Sequence, residues 1–212
     1  MFPLPCSAVS PARFKEPVRR TAVRALLCSA VLLSCGLTES VVAGDEKPAT
    51  QPATAAAVEL QPGTWKDITA LVAKHQGKIV VVDVWSTSCA PCMQEFPGLV
   101  RLHKSYPEQV VFISFNVDYV GIKSKPADFY RPRVEAFLKK QQAQFVNILC
   151  TDESDKFFAE QELSSIPAVY VFGKDGKLAK RFDESLLQEG REEAFTYEAD
   201  IVPFVKQLIG GK

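Results

Sequence analysis

The fold is decided by one stretch of the sequence, which reads Asp83-Val84-Trp85-Ser86-Thr87-Ser88-Cys89-Ala90-Pro91-Cys92-Met93-Gln94-Glu95-Phe96-Pro97. It begins inside an apolar run, residues 79–85, of the kind found in strands that are covered on both faces. From residue 91 to about residue 106, apolar residues recur at helical spacing. The stretch therefore places a Cys-x-x-Cys pair between a buried strand and a helix.

The position of Cys89 predicts an activated thiol. A cysteine at the N-terminus of a helix faces unpaired backbone amides and the positive end of the helix dipole, and both favour the thiolate. A thiol with the reference pKa of about 8.5 is only a few per cent ionised at neutral pH, and lowering that pKa to about 7 yields roughly tenfold more thiolate. Cys92 lies one turn further on and can attack a mixed disulfide formed at Cys89, while Pro91 suits the first helical turn.

A Cys-x-x-Cys pair can also be half of a zinc site or an inert structural disulfide. Tetrahedral zinc needs four ligands, but there is no second Cys-x-x-Cys, and Cys150, His75 and His103 are isolated in the sequence. We therefore favour a redox-active pair and expect no bound metal. The sequence also contains no nucleotide or flavin motif, so we expect no cofactor. Cys150 is expected to be a small buried apolar side chain rather than a third redox thiol.

The remaining periodicity predicts an α/β fold. Strands are predicted at 79–85, 110–117, 145–149, 168–172 and 177–182, and helices at 64–76, 91–106, 133–142, 155–161 and from about 201. The sequence Lys174-Asp175-Gly176 predicts a hairpin between the last two strands. Residues 121–132 are expected to form a loop, and Pro97 is expected to kink its helix. This order of elements predicts a mixed sheet with helices on both faces.

These residues resemble the thioredoxin superfamily, and more closely its TlpA/ResA-like envelope branch. The resemblance is carried by an acid six residues before the first cysteine, a tryptophan four before it and a proline five after the second, together with Ser165-Ile166-Pro167-Ala168 downstream. The string Cys-x-x-Cys-x-x-Glu-x-Pro is typical of that branch. The resemblance covers about residues 62–210 and implies a thioredoxin-like fold, an α/β mixed sheet with helices on both faces.

The resemblance implies a role for each residue around the cysteine pair. Cys89 would be the attacking thiolate and Cys92 the resolving thiol of a redox-active disulfide. Pro167 would be a cis-proline that faces the disulfide and leaves the backbone of Ile166 free to pair with a substrate strand. The alternative is an ordinary trans-proline at the start of a strand.

The substrate-binding surface is expected to comprise Trp85, Ala90, Pro91 and Ile166. Trp85 is expected to act there as a packing wall without chemistry of its own. The chain departs from thioredoxin at Ser88 and Ala168, where thioredoxins usually carry Trp and Thr. Because both positions belong to the presumed docking surface, the choice of partner is not inherited from thioredoxin.

Two acids are candidates for proton transfer near the cysteines. Asp83 stands within an apolar strand, where burial should raise its pKa and suit it to accept a proton from Cys92. The alternative is a half-exposed carboxylate paired with a lysine. Glu95 follows Cys92 by one helical turn and could help to tune the thiols, or it could be an exposed helix acid.

The N-terminal 43 residues have the layout of a secretory signal, because basic residues end at Arg24 and a short apolar run follows. Cleavage is expected near Ala43, or at a lipobox-like site that would leave a lipidated Cys35 at the mature N-terminus. Residues 44–62, rich in Pro, Ala, Thr and Gln, are expected to form a flexible linker. The thioredoxin-like domain is then expected to span residues 63–212.

The formal charge is zero over the 212 residues, but five basic and two acidic residues lie in the first 43, which leaves a net charge of −3 downstream. A mildly acidic body without a basic run argues against nucleic acid binding. We expect an exported thiol-disulfide oxidoreductase of the periplasm or cell envelope that reduces protein disulfides, with a membrane thiol carrier as its electron donor. The alternative is a metal (copper) chaperone or a non-catalytic binding module on the same scaffold.

Overall fold

The computed structural model describes residues 57–188, 190 and 193–211. The predicted signal, both of its cleavage sites and the linker up to residue 56 lie outside the described residues. Within the described ranges, no helix has the length and apolar character needed to cross a bilayer.

A six-stranded mixed sheet forms the centre of the fold, in the order β1-β4-β3-β2-β5-β6. Its strands are β1 (Gln61–Gly63), β2 (Ile79–Trp85), β3 (Val110–Asn116), β4 (Val146–Cys150), β5 (Ala168–Phe172) and β6 (Leu178–Phe182). The first four strands in this order run parallel to one another, and β5 and β6 continue the sheet antiparallel. The helices are α1 (Trp65–Lys74), α2 (Ala90–Ser105), α3 (Ala127–Gln141), α4 (Ser154–Glu160), α5 (Ser185–Gln188) and α6 (Val202–Ile209), and a π-helical turn (Tyr197–Ile201) precedes α6.

Strand β2 is buried along its whole length because helices cover both faces of the sheet. Its alternating side chains divide between two apolar clusters. Val81 and Trp85 pack with residues of α2, α3 and α6, whereas Val80, Val82 and Val84 pack with residues of α1 and α4. The prediction of a doubly covered strand is confirmed.

The predicted loop at residues 121–132 is wrong in its second half, where α3 already begins at Ala127 and continues through Pro132. A proline inside a helix removes one backbone hydrogen bond. Here the helix is stabilised by burial of Tyr130 and Val134, and the Arg133 guanidinium lies 4.8 Å from the Tyr130 ring centre. Helix α2 likewise continues through Pro97, where the expected kink stays a prediction.

The folded part begins before residue 63, so the predicted linker is too long at its C-terminal end. Residues 61–63 form β1, which pairs with β4, and Leu60 is buried in the core. The carbonyl oxygen of Leu60 accepts a hydrogen bond from Arg131 Nη1 at 2.7 Å, and that of Glu59 accepts one from Asn147 Nδ2 at 3.1 Å. These contacts are made mostly by the backbone, and therefore composition did not reveal them.

Candidate active site

Cys89 and Cys92 are joined in a disulfide at the N-terminus of α2. Cys89 is the residue that caps the helix, and the backbone N–H of Cys92 points at its sulfur, with N and Sγ 3.2 Å apart. Cys89 is half-buried whereas Cys92 is only 3% exposed. A partner can therefore reach the Cys89 sulfur, and the helix amide that faces this sulfur favours its anionic form.

The segment before β5 lies against the disulfide, as the resemblance to the thioredoxin superfamily implied. The Ile166–Pro167 peptide bond is cis. The carbonyl oxygen of Ile166 lies 3.6 Å from Cys89 Sγ, and both residues of this segment are half-buried. The backbone of Ile166 thus lies directly beside the Cys89 sulfur.

The predicted substrate-binding residues divide into two groups. Ala90 and Pro91 are exposed next to the disulfide, and Ile166 is partly accessible. Trp85, however, is completely buried, so its assignment to the substrate surface is wrong. Its side chain points under α2 and α3, where its ring centre lies 5.0 Å from that of Phe96 and 4.8 Å from that of Phe137. Trp85 packs the layer below the site.

Asp83 lies in the same buried layer, because it is on the same face of β2 as Val81 and Trp85. It is 4% exposed, and its carboxylate accepts a hydrogen bond from the hydroxyl of Tyr197 at 2.5 Å. Burial raises the pKa of Asp83 to about 7; the Tyr197 hydrogen bond opposes this rise and the charge of Glu95 adds to it. The observed partner is a buried tyrosine and not the lysine of the alternative interpretation.

Glu95 is connected to Asp83 through the same tyrosine. Its carboxylate accepts a hydrogen bond from the backbone N–H of Tyr197 at 2.9 Å, and its side chain is half-buried. Because its negative charge raises the pKa of Asp83, Glu95 acts on the acid below the cysteines. Tyr197 was missed by the sequence analysis, since it lies 114 residues from Asp83 and no motif marks it.

Asp118 is a second residue that the sequence analysis missed. It is 3% exposed, and it fixes the loop that precedes Cys89. Its carboxylate accepts hydrogen bonds from the Ser86 hydroxyl at 2.6 Å, the Thr87 amide at 2.7 Å and the Arg133 Nε at 2.8 Å. The sequence did contain a signal for this contact. Asp118 follows β3 and the loop follows β2, and the ends of neighbouring parallel strands lie at the same edge of a sheet.

An open cleft of about 320 Å³ lies beside Cys89. Its lining includes Val117, Val120, Phe158 and Ile166. Val120 is 52% exposed and lines this cleft together with Cys89. The surface around the accessible sulfur is therefore partly apolar.

No group of three or more His, Cys, Asp or Glu side chains is placed to hold a metal ion in the part of the chain that the structure describes. Cys150 is buried at the end of β4, and burial raises the pKa of its thiol to about 12. Such a thiol is almost entirely un-ionised at neutral pH. It fits the expected small apolar side chain better than a third redox centre.

A family model described as the AhpC/TSA family matches residues 51–181. The chain belongs to the AhpC/TSA family. This AhpC/TSA chain is 25% identical to the thiol-disulfide oxidoreductase ResA of Bacillus cereus over 129 residues, which cover 60% of this chain and 66% of ResA. It is 31% identical to the protein FixW of Rhizobium leguminosarum over 122 residues, which cover 53% of this chain and 52% of FixW. The AhpC/TSA chain thus spans between about half and two thirds of the length of these curated relatives.

Among solved structures, the AhpC/TSA chain is similar to the crystal structure of a thioredoxin-like superfamily protein. The TM-score is 0.50 at 16% identity, and the match covers 66% of this chain and 84% of the other. At this identity the similarity concerns the fold alone. The thioredoxin-like mixed sheet predicted from the sequence is confirmed, and so is the resemblance to ResA.

The Asp118 contacts predict a large structural effect of one substitution. We expect Asp118→Ala to lower the free energy of unfolding by more than about 2 kcal/mol, because the polar groups of Ser86 and Thr87 lose a charged acceptor in a part-buried place. Urea denaturation at neutral pH measures the change. Asp128→Ala is the matched control, because it removes a 77% exposed carboxylate that pairs with Arg131 and should cost less than about 1 kcal/mol. Equal losses in the two variants would contradict the role given to Asp118.

The raised pKa of Asp83 predicts that stability falls with pH. In the unfolded chain Asp83 loses its proton near pH 4, but in the folded protein it keeps that proton until about pH 7. Because the unfolded chain binds fewer protons in this interval, the free energy of unfolding should fall between these pH values and then level off. The loss attributable to Asp83 is up to about 4 kcal/mol at pH 8.

The Asp83 effect is measured by urea denaturation of the oxidised protein and of Asp83→Asn at pH 5 and pH 8. Subtracting the two variants removes the contributions of other titrating groups, including His103, whose pKa is lowered by burial. Asp83→Asn should gain stability relative to wild type as the pH rises. A constant difference between the two proteins would show that Asp83 ionises normally.

Proposed function

We propose that the protein is an exported thiol-disulfide oxidoreductase that reduces protein disulfides. The observation that carries the proposal is the Cys89–Cys92 disulfide at the N-terminus of α2, with one accessible sulfur and one buried sulfur. A helix amide faces the accessible sulfur, and the backbone of Ile166 lies beside it. An inert structural disulfide does not need such an arrangement.

The reaction begins with both cysteines reduced. The Cys89 thiolate attacks one sulfur of a substrate disulfide, which forms a bond between Cys89 and the substrate and releases the other substrate sulfur as a thiolate. The amide of Cys92 stabilises the attacking anion, because it already points at the Cys89 sulfur in the oxidised protein. The loop held by Asp118 keeps this sulfur at the end of the helix.

The second step closes the disulfide that the structure contains. Cys92 gives its proton to the Asp83 carboxylate and attacks the Cys89 sulfur, which forms the Cys89–Cys92 bond and releases the second substrate sulfur as a thiolate. Two electrons have then passed from the dithiol to the substrate. Asp83 suits the proton transfer because it shares a face of β2 with Val81 and Trp85, which pack in one cluster with Cys92. With a pKa of about 7, a large fraction of Asp83 is unprotonated at neutral pH.

The electrons must be replaced by an external dithiol, and we assign this role to a membrane thiol carrier. Its attack on Cys89 would reverse the two steps above and return both cysteines to thiols. Export is proposed from the secretory layout of residues 1–43, with either Ala43 as the cleavage site or a lipidated Cys35. Mass spectrometry of the mature N-terminus distinguishes these two forms.

The surface beside Cys89 supports a polypeptide as the substrate. Val120 presents an apolar side chain at the cleft, and Ile166 presents its backbone carbonyl. An extended polypeptide can bind both groups, because its backbone can pair with the Ile166 carbonyl while one of its apolar side chains contacts Val120. A small disulfide would contact only the sulfur.

The proposed chemistry predicts different defects for the two cysteines. Cys89→Ser should abolish catalysis of insulin reduction by dithiothreitol, because no attacking sulfur remains. Cys92→Ala should leave the first step intact and accumulate a mixed disulfide between Cys89 and its partner, which non-reducing gels and mass spectrometry detect. Cys150→Ala is the control and should retain activity, since its thiol is buried away from exchange. Substantial turnover in Cys89→Ser would exclude the mechanism.

The cleft predicts that one surface substitution separates protein substrates from small ones. We expect Val120→Glu to slow insulin reduction roughly fivefold, because a charge replaces apolar contact area, while reduction of a small aromatic disulfide changes little. Leu178→Glu is the matched control, since Leu178 is 50% exposed on β6 and does not line the cleft. If the two substrates slow equally in Val120→Glu, this residue does not contact a polypeptide.

A further inference from the structure

We propose that Tyr197, carried by the C-terminal segment, is the positioning residue that holds the Asp83 carboxyl below the disulfide and keeps it able to exchange a proton. This role rests on the proposed function, in which Asp83 accepts the proton of Cys92, and it adds the residue that holds Asp83 in place. Tyr197 acts through Asp83 and touches no reacting sulfur in this role.

The contact between the two side chains is buried and short. Tyr197 is 1% exposed, and its hydroxyl oxygen lies 2.5 Å from Asp83 Oδ2. Burial and the neighbouring Asp83 charge raise the pKa of Tyr197 well above its ordinary value, so the phenol keeps its proton and acts as a donor. A neutral phenol can donate to the carboxylate and can also bond to the protonated acid, because a hydroxyl is both donor and acceptor. The contact therefore survives both protonation states of Asp83.

Three positions on one face of α2, at intervals of three residues, contact Tyr197 or its neighbour Glu198. Glu95 accepts the backbone N–H of Tyr197 at 2.9 Å. Gly98 leaves room for it, because a Cβ at this position would lie 2.3 Å from Tyr197 Cβ. Arg101 pairs with Glu198, with Nη2 and Oε1 2.8 Å apart. The helix that carries the cysteines thus also carries the docking face for Tyr197.

The segment around Tyr197 is tied down on both sides of the residue. The Thr196 hydroxyl accepts the N–H of Ala199 at 3.1 Å, and the Thr196 N–H donates to the Asp200 carboxylate at 2.8 Å. Residues 197–201 form a π-helical turn, and Ile201 is completely buried. Single π-helical turns occur often at functional sites. Here the turn directs one side chain from the end of the chain into the layer below α2.

Few charged groups face Asp83 within the described ranges. Tyr197 of the C-terminal segment donates a hydrogen bond to Asp83. Glu95 of α2 acts on Asp83 through its negative charge, which raises the pKa of Asp83. Its register partners in the adjacent strands, Ser114 on β3 and Val169 on β5, carry no charge. Cys92 of α2 belongs to the same layer and becomes titratable on reduction. Among the described residues, Tyr197 is the group whose hydrogen bond favours the charged form of Asp83.

Tyr197→Phe tests the proposal because it keeps the ring and removes the hydroxyl. Without this donor the carboxylate loses its hydrogen bond, so Asp83 should become roughly a tenfold weaker acid, a rise of about one pKa unit. Carbon NMR of the Asp83 carboxyl in the oxidised protein, assigned with Asp83→Asn, measures this without any turnover. A second measurement uses the mixed disulfide between Cys89 and a substrate. The rate at which Cys92 attacks this disulfide depends on pH, and this dependence should move to higher pH by the same amount.

Tyr106→Phe is the matched control, because Tyr106 follows the opposite end of α2 and its substitution should leave the Asp83 titration unchanged. Gly98→Ala is an independent second variant that keeps the hydroxyl but must displace Tyr197, and it should also weaken Asp83 as an acid. An unchanged Asp83 titration in either test variant overturns the proposal. If the titration moves as expected but no variant or wild type reduces disulfides, the proposed function fails while the Tyr197–Asp83 coupling stands.

Discussion

The backbone amide of Cys92, which points at the sulfur of Cys89, is the contact on which the site depends. It exists because a buried strand ends and a helix begins within a few residues, so a free amide in the first turn of the helix meets the side chain that caps it. Asp118 fixes the short loop between the two elements from the neighbouring strand. The position of the Cys89 sulfur is thus fixed by the helix that follows it and by the loop that precedes it. Because Asp118 anchors that loop from the neighbouring strand, the position depends on two strands of the sheet.

Below the sulfur, the fold buries a carboxyl group that is costly to ionise there. Asp83 is tolerated because the end of the chain returns over α2 and offers it a hydroxyl. Glu95 takes the backbone of the same residue, so two acids of the central motif meet at one tyrosine. A C-terminal segment that carries no motif therefore supplies hydrogen bonds to both acids of the central motif.

Several features could be predicted from local sequence. The junction at Cys89, the burial of β2 and the cis form of Pro167 depend on neighbouring residues or on a motif, and all three are present. The errors arose where packing outweighed local preference. Burial of Tyr130 favoured an α3 that begins in the second half of the predicted loop, and backbone contacts of Leu60 brought part of the predicted linker into the fold. Trp85 sits next to the motif in sequence but faces the layer beneath α3.

By itself the sequence determined the Cys89–Cys92 pair, its place at a helix N-terminus and the class of fold, because each follows from spacing over a few residues. Only the tertiary structure decided which groups surround that pair. The partners of Asp83 and Glu95 come from residue 197, and the anchor of the loop before Cys89 comes from residue 118. Hydrogen bonds between residues so far apart leave no periodic trace in a single chain, since they depend on how strands and helices are stacked and not on their order.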